Sequence, residues 1–319
     1  MAGSFDVLCA GIIVVDHIAA PVDHLPAAGE LVLTDECFLT IGGCASNVAV
    51  ALQRLGRSTA VCGKVGKDSF GTFAADVLSS HGVDTGYLRF AESVATSQTL
   101  ILNVQGQDRR FIHHLGANQK FIADDFPSDL LAHVKVLYLG GYFLMDGLLP
   151  RDVAEIFAKA QARGIKTVLD VVVPGPKPYV EALTQILPYT DVFLPNDDEA
   201  KAMTGLDDPL EQAKMFRKLG AKTAVITLGG RGAVLSSESV TVKAGAFDVE
   251  FIDGTGGGDA FDAGFIEGLL QGASVQECLS LGSALGASCV RRSGATAGVF
   301  NRQELDEFLR TQRLAITDL

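Results

Sequence analysis

Between residues 6 and 228, short apolar runs alternate with stretches of helical periodicity, which restricts the chain to an α/β architecture with a parallel sheet covered by helices. Strands are expected at 6–15, 58–65, 134–139, 166–172, 191–194 and 222–228. Helices are expected at 46–55, 70–80, 151–163, 179–187, 197–204 and 209–219, with two more at 275–291 and 302–310. Residues 31–40 and 95–115 break the alternation. They read as additional strands joined by Gly, Gln and Asp turns, a small sheet outside the main one and so a candidate lid. No Pro/Ser linker or internal repeat divides the 319 residues, so a single unit is expected over 1–319.

Chemistry concentrates in Asp253-Gly-Thr-Gly-Gly-Gly-Asp259-Ala-Phe261. Residues 247–252 alternate apolar and acidic side chains as a half-buried strand does, and Phe261, Phe265, Ile266, Leu269 and Leu270 recur at helical spacing. The segment is therefore read as strand, turn, helix. Gly256, Gly257 and Gly258 let bare N–H groups approach a ligand, and the helix start adds unpaired N–H groups and a positive dipole end, so negative charge is stabilised there. Asp259, beside bound phosphate oxygens, would have raised proton affinity and could take a proton from a hydroxyl. The competing reading is a capping aspartate after a flexible turn.

Two familiar nucleotide signatures are absent. The chain has no Gly-x-x-x-x-Gly-Lys-Ser/Thr, and the first strand runs into one glycine where a dinucleotide fingerprint needs three. A net charge of −12 argues against an extended nucleic-acid surface while leaving room for a local phosphate pocket. No apolar run reaches the roughly 18 residues of a membrane span, and no signal-type N-terminus is recognisable. The six cysteines show no Cys-x-x-Cys pairing, which suggests reduced thiols, a cytoplasmic location and no zinc site.

A second segment, Ile41-Gly42-Gly43-Cys44-Ala45-Ser46-Asn47, places paired glycines before a helix. The Asn47 amide suits a polyhydroxylated ligand, and the glycines could hinge a lid; Asn47 as a local cap explains the same residues. Together the Gly-Gly turn opening an Asn-Val-Ala helix and Asp-x-Thr-Gly-x-Gly-Asp-Ala-Phe resemble the PfkB (ribokinase-like) carbohydrate kinases. Gly63-Lys-Val-Gly66-Lys-Asp68, Gly116-Ala-Asn118, Asn196-Asp-Asp-Glu199, Thr227-Leu-Gly229 and Gly294-Ala-Thr-Ala-Gly298 extend the resemblance over essentially the whole chain.

The resemblance implies a three-layer α/β/α sandwich with a mostly parallel central sheet and a small β-sheet lid, its strands within about 12–40 and 95–115. It implies ATP-dependent phosphoryl transfer to a hydroxyl, with Asp259 as base and Gly256, Gly257 and Gly258 as anion hole. Asp16, Gly42, Gly43, Asn47 and Asn118 fall at substrate-binding positions, with Asp16 accepting from two hydroxyls. Asn196, Thr227, Gly229 and Ser283 fall at nucleotide-binding positions. Glu199 resembles the residue that organises Mg²⁺ through water; without the resemblance, Asn196 and Glu199 read as a helix cap. Asp253 and the 289–298 loop resemble a monovalent-cation (K⁺) site found in part of the family, and the lid of a second copy is an expected homodimer partner.

Departures from the pattern bear on the substrate. Cys44 stands where relatives acting on phosphorylated sugars commonly carry Lys. Asp170-Val-Val-Val-Pro-Gly175 stands where relatives acting on an acidic keto-sugar commonly have Asp-x-Asn-x-Arg. A neutral sugar, handled in a ribokinase- or fructokinase-like manner, is thus expected. The alternatives are a nucleoside kinase of the same family and a non-catalytic sugar- or nucleotide-binding protein of this fold. Ser283 replaces an Asn that many relatives place near adenine. His113 and His114 alternate across a strand, so at most one faces the site.

Overall fold

The computed structural model describes residues 4–107, 110–175 and 177–319, without the side chains of residues 128–130. The first half of the chain contains β1 (Phe5–Gly11), β2 (Val14–Ala19), β3 (Cys37–Gly42), α1 (Cys44–Arg54), β4 (Thr59–Gly66), α2 (Ser69–Ser80), β5 (Asp84–Ala91), β6 (Gln98–Leu102), β7 (Arg110–His114) and β8 (Val134–Gly140). The second half contains α3 (Pro150–Gln161), β9 (Lys166–Leu169), α4 (Tyr179–Ile186), β10 (Val192–Phe193), α5 (Asp197–Thr204), α6 (Pro209–Lys218), β11 (Thr223–Thr227), β12 (Ala233–Ser237), β13 (Thr241–Ala244), α7 (Gly257–Gln271), α8 (Val275–Cys289), α9 (Arg302–Thr311) and β14 (Ile316–Asp318).

Ten strands form the main sheet in the order β14-β13-β12-β11-β10-β9-β8-β1-β4-β5. Every pairing from β11 to β5 is parallel, and β12, β13 and β14 add an antiparallel edge. Val7, Leu8, Cys9 and Ala10 of β1 are wholly buried, as a central parallel strand requires because helices cover both of its faces. Burying Leu8 alone contributes about 2 kcal/mol. The strand order reverses on the two sides of the β1–β8 pair: β4 and β5 lie beyond β1, while β9 and β10 lie beyond β8. In sheets of this kind the crevice at that reversal, outside the carboxyl ends of the strands, receives the ligand. Here it lies beyond the paired ends Gly11 and Gly140.

The second sheet has four strands in the order β3-β2-β6-β7. Its strands reveal where periodicity misleads. The expected strand 6–15 is two strands in two sheets, because the chain turns at Ile12–Ile13 and the buried Asn118 amide clamps that turn. Its Oδ1 accepts from Ile13 N at 3.1 Å and its Nδ2 donates to Ile13 O at 3.0 Å. Of the expected strand 31–40, the part from Cys37 to residue 40 lies in β3; Leu31 and Leu33 are more than 80% exposed and belong to no strand among the described residues. The 95–115 region resolves into β6 and β7, with residues 108 and 109 outside those described.

The expected strand 247–252 is not one. Its alternation finds no ladder partner among the described residues, and Phe251 is 71% exposed. Conversely, β5, β12, β13 and β14 carry weak local signals and exist through pairing with neighbours. No helix of the described residues is long and apolar enough to cross a membrane.

Candidate active site

Two segments far apart in sequence meet at the crevice. Asn47, in the first turns of α1, donates from Nδ2 to Asp259 Oδ2 at 2.7 Å. The Oδ1 of Asn47 is buried without a protein partner. Helix α1 begins at Gly43, whose φ of 89° turns the chain from the lid strand β3 into the helix. Gly42, one residue earlier, is required by close approach: a Cβ there would stand 2.1 Å from Asp16 Oδ2. The Asp16 carboxylate thus lies against bare backbone at the lid's base, 6% exposed.

Asp259 sits in the first turn of α7. The turn before it depends on Gly256, at φ 75°, whose missing Cβ makes room for the Ala295 carbonyl 2.4 Å from where it would lie. Gly257 N donates to Gly254 O at 3.2 Å, which closes the turn that Gly256 shapes ahead of the helix start.

An unforeseen carboxylate completes the centre. Asp170, just past β9, is buried, and its Oδ2 accepts from Gly141 N at 3.1 Å. Cys44 Sγ and oxygens of Asp170 and Asp259 lie within 4.8 Å of one another. Behind them the Tyr138 hydroxyl donates to Asp262 Oδ2 at 3.0 Å. The sequence contained one usable signal for Asp170, an acid at the carboxyl end of a buried strand, but only the residues after it drew attention.

Burial raises the proton affinity of every acid in this group. Asp259 is held above its usual value by burial, opposed by hydrogen bonds from Asn47 and Cys44. Asp16 is pushed up to about 6 by burial and by the charge of Asp259, against stabilisation from Thr99. Asp170 is raised by burial and the Asp259 charge. Glu199 is raised by burial and by Asp170 and Asp259, and Asp262 lies well above the carboxylate range for the same causes. The Cys44 thiol is likewise pushed up, by burial and both aspartates, so it remains protonated. None of the leading influences on these acids is a Lys or Arg. Such a charge-deficient pocket suits a hydrated divalent cation arriving with a polyphosphate.

The other expected site residues divide into groups. Asn196 and Glu199 form a reciprocal cap on α5: Glu199 N donates to Asn196 Oδ1 at 2.8 Å, and Asn196 N donates to Glu199 Oε2 at 3.0 Å. Capping explains their geometry, and the charges of Asp170 and Asp259 raise the proton affinity of Glu199. Thr227 bridges to Asn196 at the ends of β11 and β10, with Gly229 beginning the following turn. Arg231 in that turn pairs with Asp197. Ser283 is half-exposed on α8, one turn before Gly286, which backs the Gly257 carbonyl. Asn118 is engaged with the Ile13 backbone, so it shapes the link between the sheets. Asp253 ties two loops together, accepting from Thr255 N and Oγ1 at 2.8 and 2.7 Å and from Gly294 N at 2.9 Å.

Known proteins are similar to this chain in sequence and in fold. The sequence profile described as pfkB family carbohydrate kinase matches residues 4–301. A ribokinase of Haemophilus influenzae is 29% identical over 307 residues, covering 94% of this chain and 96% of its own. An ATP-dependent 6-phosphofructokinase of Thermoanaerobacterium thermosaccharolyticum is 26% identical over 299 residues, covering 91% and 89%. The structure of Arabidopsis thaliana ribokinase complexed with ribose and ATP superposes with a TM-score of 0.82 at 22% identity, over 97% of this chain and 100% of that one. Its likeness establishes the ribokinase-like fold, a large mostly parallel sheet with a small separate one. With nearly the whole chain matched by the family profile, this protein belongs to the pfkB family of carbohydrate kinases.

Proposed function

We propose that this kinase transfers the γ-phosphate of ATP to a hydroxyl of a small neutral sugar, with Asp259 as the general base. The observation that carries the reading is the 2.7 Å bond between Asn47 and Asp259. It joins the hydroxyl-recognition end of the crevice to the helix start where a phosphoryl group would be stabilised. Asp16 accepts from acceptor hydroxyls, and the buried Asn47 Oδ1 is a further acceptor beside them. Asp259, with raised proton affinity, takes the hydroxyl proton as the oxygen attacks, while the Gly258 and Asp259 N–H groups stabilise charge on the transferring group. Magnesium ion, when bound with ATP, neutralises phosphate charge; Glu199 and Asp170 would hold it through water. Thr227, Gly229, Asn196 and Ser283 line the nucleotide side.

Neutrality of the substrate rests on Cys44, which stands where relatives acting on phosphorylated sugars commonly carry Lys, and on Asp170-Val-Val-Val-Pro-Gly175, which lacks the basic clamp. An anionic phosphosugar would face the carboxyl groups of Asp16, Asp170 and Asp259. Asp253 binds K⁺ in this reading, and exposed Leu39, Leu100 and Ile112 on the lid's outer face give a second copy an apolar docking surface.

ADP release is to be measured across ribose, fructose, other neutral sugars, fructose 6-phosphate and nucleosides, each with Mg-ATP. Turnover is expected with a neutral sugar. Preference for fructose 6-phosphate or a nucleoside would replace the substrate assignment, and no turnover with any acceptor would favour a non-catalytic binding role.

A further inference from the structure

The two helices that bring Asn47 and Asp259 together are also tied to each other at their far ends. Asn47 lies in the first turns of α1 and Asp259 in the first turn of α7, while Arg57, just past the end of α1, meets Glu267 near the end of α7. Like ends meet, so α1 and α7 run side by side in the same direction. From Asp259 to Glu267 the helix rises about 12 Å.

The far tie is a knot of charge around one carboxylate. Glu267 is wholly buried and takes two parallel bonds from Arg57, Nε to Oε2 and Nη2 to Oε1, each at 2.7 Å. Arg302, the first residue of α9, donates to the same Oε1 at 2.6 Å, as does Gln271 Nε2. Arg302 also donates to the carbonyl of Leu55, the residue that ends α1, at 3.2 Å. Burial works against the charge of Glu267, yet the bonds from Arg57, Arg302 and Gln271 hold its carboxyl below the usual value. The end of α1, the end of α7 and the start of α9 are thus fastened to a single side chain.

Such a knot serves geometry more than stability. Arg302 opens α9, where its charge opposes the helix dipole, so α9 itself gains nothing from it. A buried ion cluster is often no more stable than apolar side chains of the same volume, because desolvation offsets the attraction. What it adds is direction, since a bidentate guanidinium–carboxylate pair tolerates little sliding of one helix along the other.

We propose that Arg57, Glu267 and Arg302 are positioning residues: their knot fixes the register of α7 along α1 and so holds the Asp259 carboxylate at bonding distance from Asn47. The catalytic consequence rests on the reading of Asp259 as general base; the register does not. Sliding α7 by about an ångström would break the 2.7 Å bond and misalign the base, a displacement of the size that costs about a hundredfold in rate.

The test compares the intact protein with Arg57→Met/Glu267→Leu, which exchanges the pair for apolar side chains of similar size, and with Glu267→Gln, which keeps the shape and one acceptor. Arg302, 35% exposed, turns to water in the first. The apolar variant is expected to keep a Tm near that of the wild type and to lose roughly tenfold to a hundredfold in kcat, with Glu267→Gln between the two. A double-mutant cycle with Asn47→Ala reads the register. Asn47→Ala should lower kcat/KM about tenfold in the wild type and about threefold or less in the apolar background, where its bond to Asp259 is already lost. Sites about 12 Å apart with no shared partner are otherwise additive, so an equal cost in both backgrounds overturns the proposal, as does a wild-type kcat in the folded apolar variant. Glu267→Gln supplies the same cycle if the apolar variant does not fold. One further readout needs no turnover: exchange of the Asn47 side-chain amide protons with water, slow while Nδ2 is buried and bonded, should quicken in both variants. Unchanged exchange overturns the register. Quickened exchange in a protein whose wild type phosphorylates no sugar leaves the register standing and removes only the role of Asp259 as base.

Discussion

Replacing Asp259 by asparagine preserves side-chain size and the possibility of the 2.7 Å contact with Asn47, but it exchanges a proton acceptor for an amide. If Asn47 Nδ2 keeps donating to the remaining oxygen, the new NH₂ faces the hydroxyl that must lose its proton, offering a donor where an acceptor is needed. General-base help is worth about 10²- to 10⁴-fold, which corresponds to roughly 3–5 kcal/mol of barrier. We expect kcat to fall within that range. ATP affinity should hold, because Asp259 contributes a negative charge and no donor side chain to the phosphates. Stability should move the other way: a carboxylate held above its ordinary value by burial destabilises the ionised folded state, so Asp259→Asn should raise Tm at pH 8. The assay couples ADP release to a dehydrogenase readout, with ATP binding followed by calorimetry and Tm by scanning calorimetry. A kcat within threefold of wild type, in a variant that binds ATP normally, would refute the role given to Asp259.

The remaining predictions follow from the same geometry. Gly42→Ala places a Cβ 2.1 Å from Asp16 Oδ2 and should raise acceptor KM at least tenfold by displacing that carboxylate, leaving ATP affinity intact in a binding titration. The ligand-free protein should be most stable near about pH 5, because Asp16, Asp170, Asp259, Asp262 and Glu199 all bind protons more tightly folded than unfolded. Their contribution is present below the unfolded value of about 4 and is lost as pH rises through the folded values, about 6 for Asp16. Calorimetric Tm falling from pH 5 to 8 tests this, and Mg-ATP should reduce the slope. Glu267 is wholly buried, held by Arg57 Nε and a terminal nitrogen, each at 2.7 Å, and by Arg302 and Gln271 at 2.6 Å. Glu267→Ala should cost about 2–4 kcal/mol in urea unfolding, the lower side of a broken buried pair because both arginines keep some contact with water.

How far local signals reach is clear from particular elements. The Asn196–Glu199 cap was legible because a capping box is set by residues three apart, and α7 was legible because glycines followed by helical spacing have few other solutions. Residues 247–252 had the same alternation as a strand and form none, since a strand exists only where another edge accepts its hydrogen bonds. After Asp6 the run to residue 15 was uniformly apolar, so nothing local showed that the chain leaves one sheet at Gly11 and enters another at Val14. Asn118, more than a hundred residues away, fixes that turn.

By itself the sequence determined the layered α/β class, the glycine turn with its acid, and the pairing of two signatures that marks the kinase family. These depend on periodicity and short spacings, which neighbours in the chain enforce. Only the tertiary structure decided that Asp170 and Cys44 stand together with Asp259, and that Thr99 and His113 fall in one register row with Asp16. The reason is electrostatic and geometric. A carboxylate's proton affinity and the direction of a hydroxyl hydrogen are set by what folding brings within a few ångströms, and burial there raises the cost of leaving any acid unpartnered.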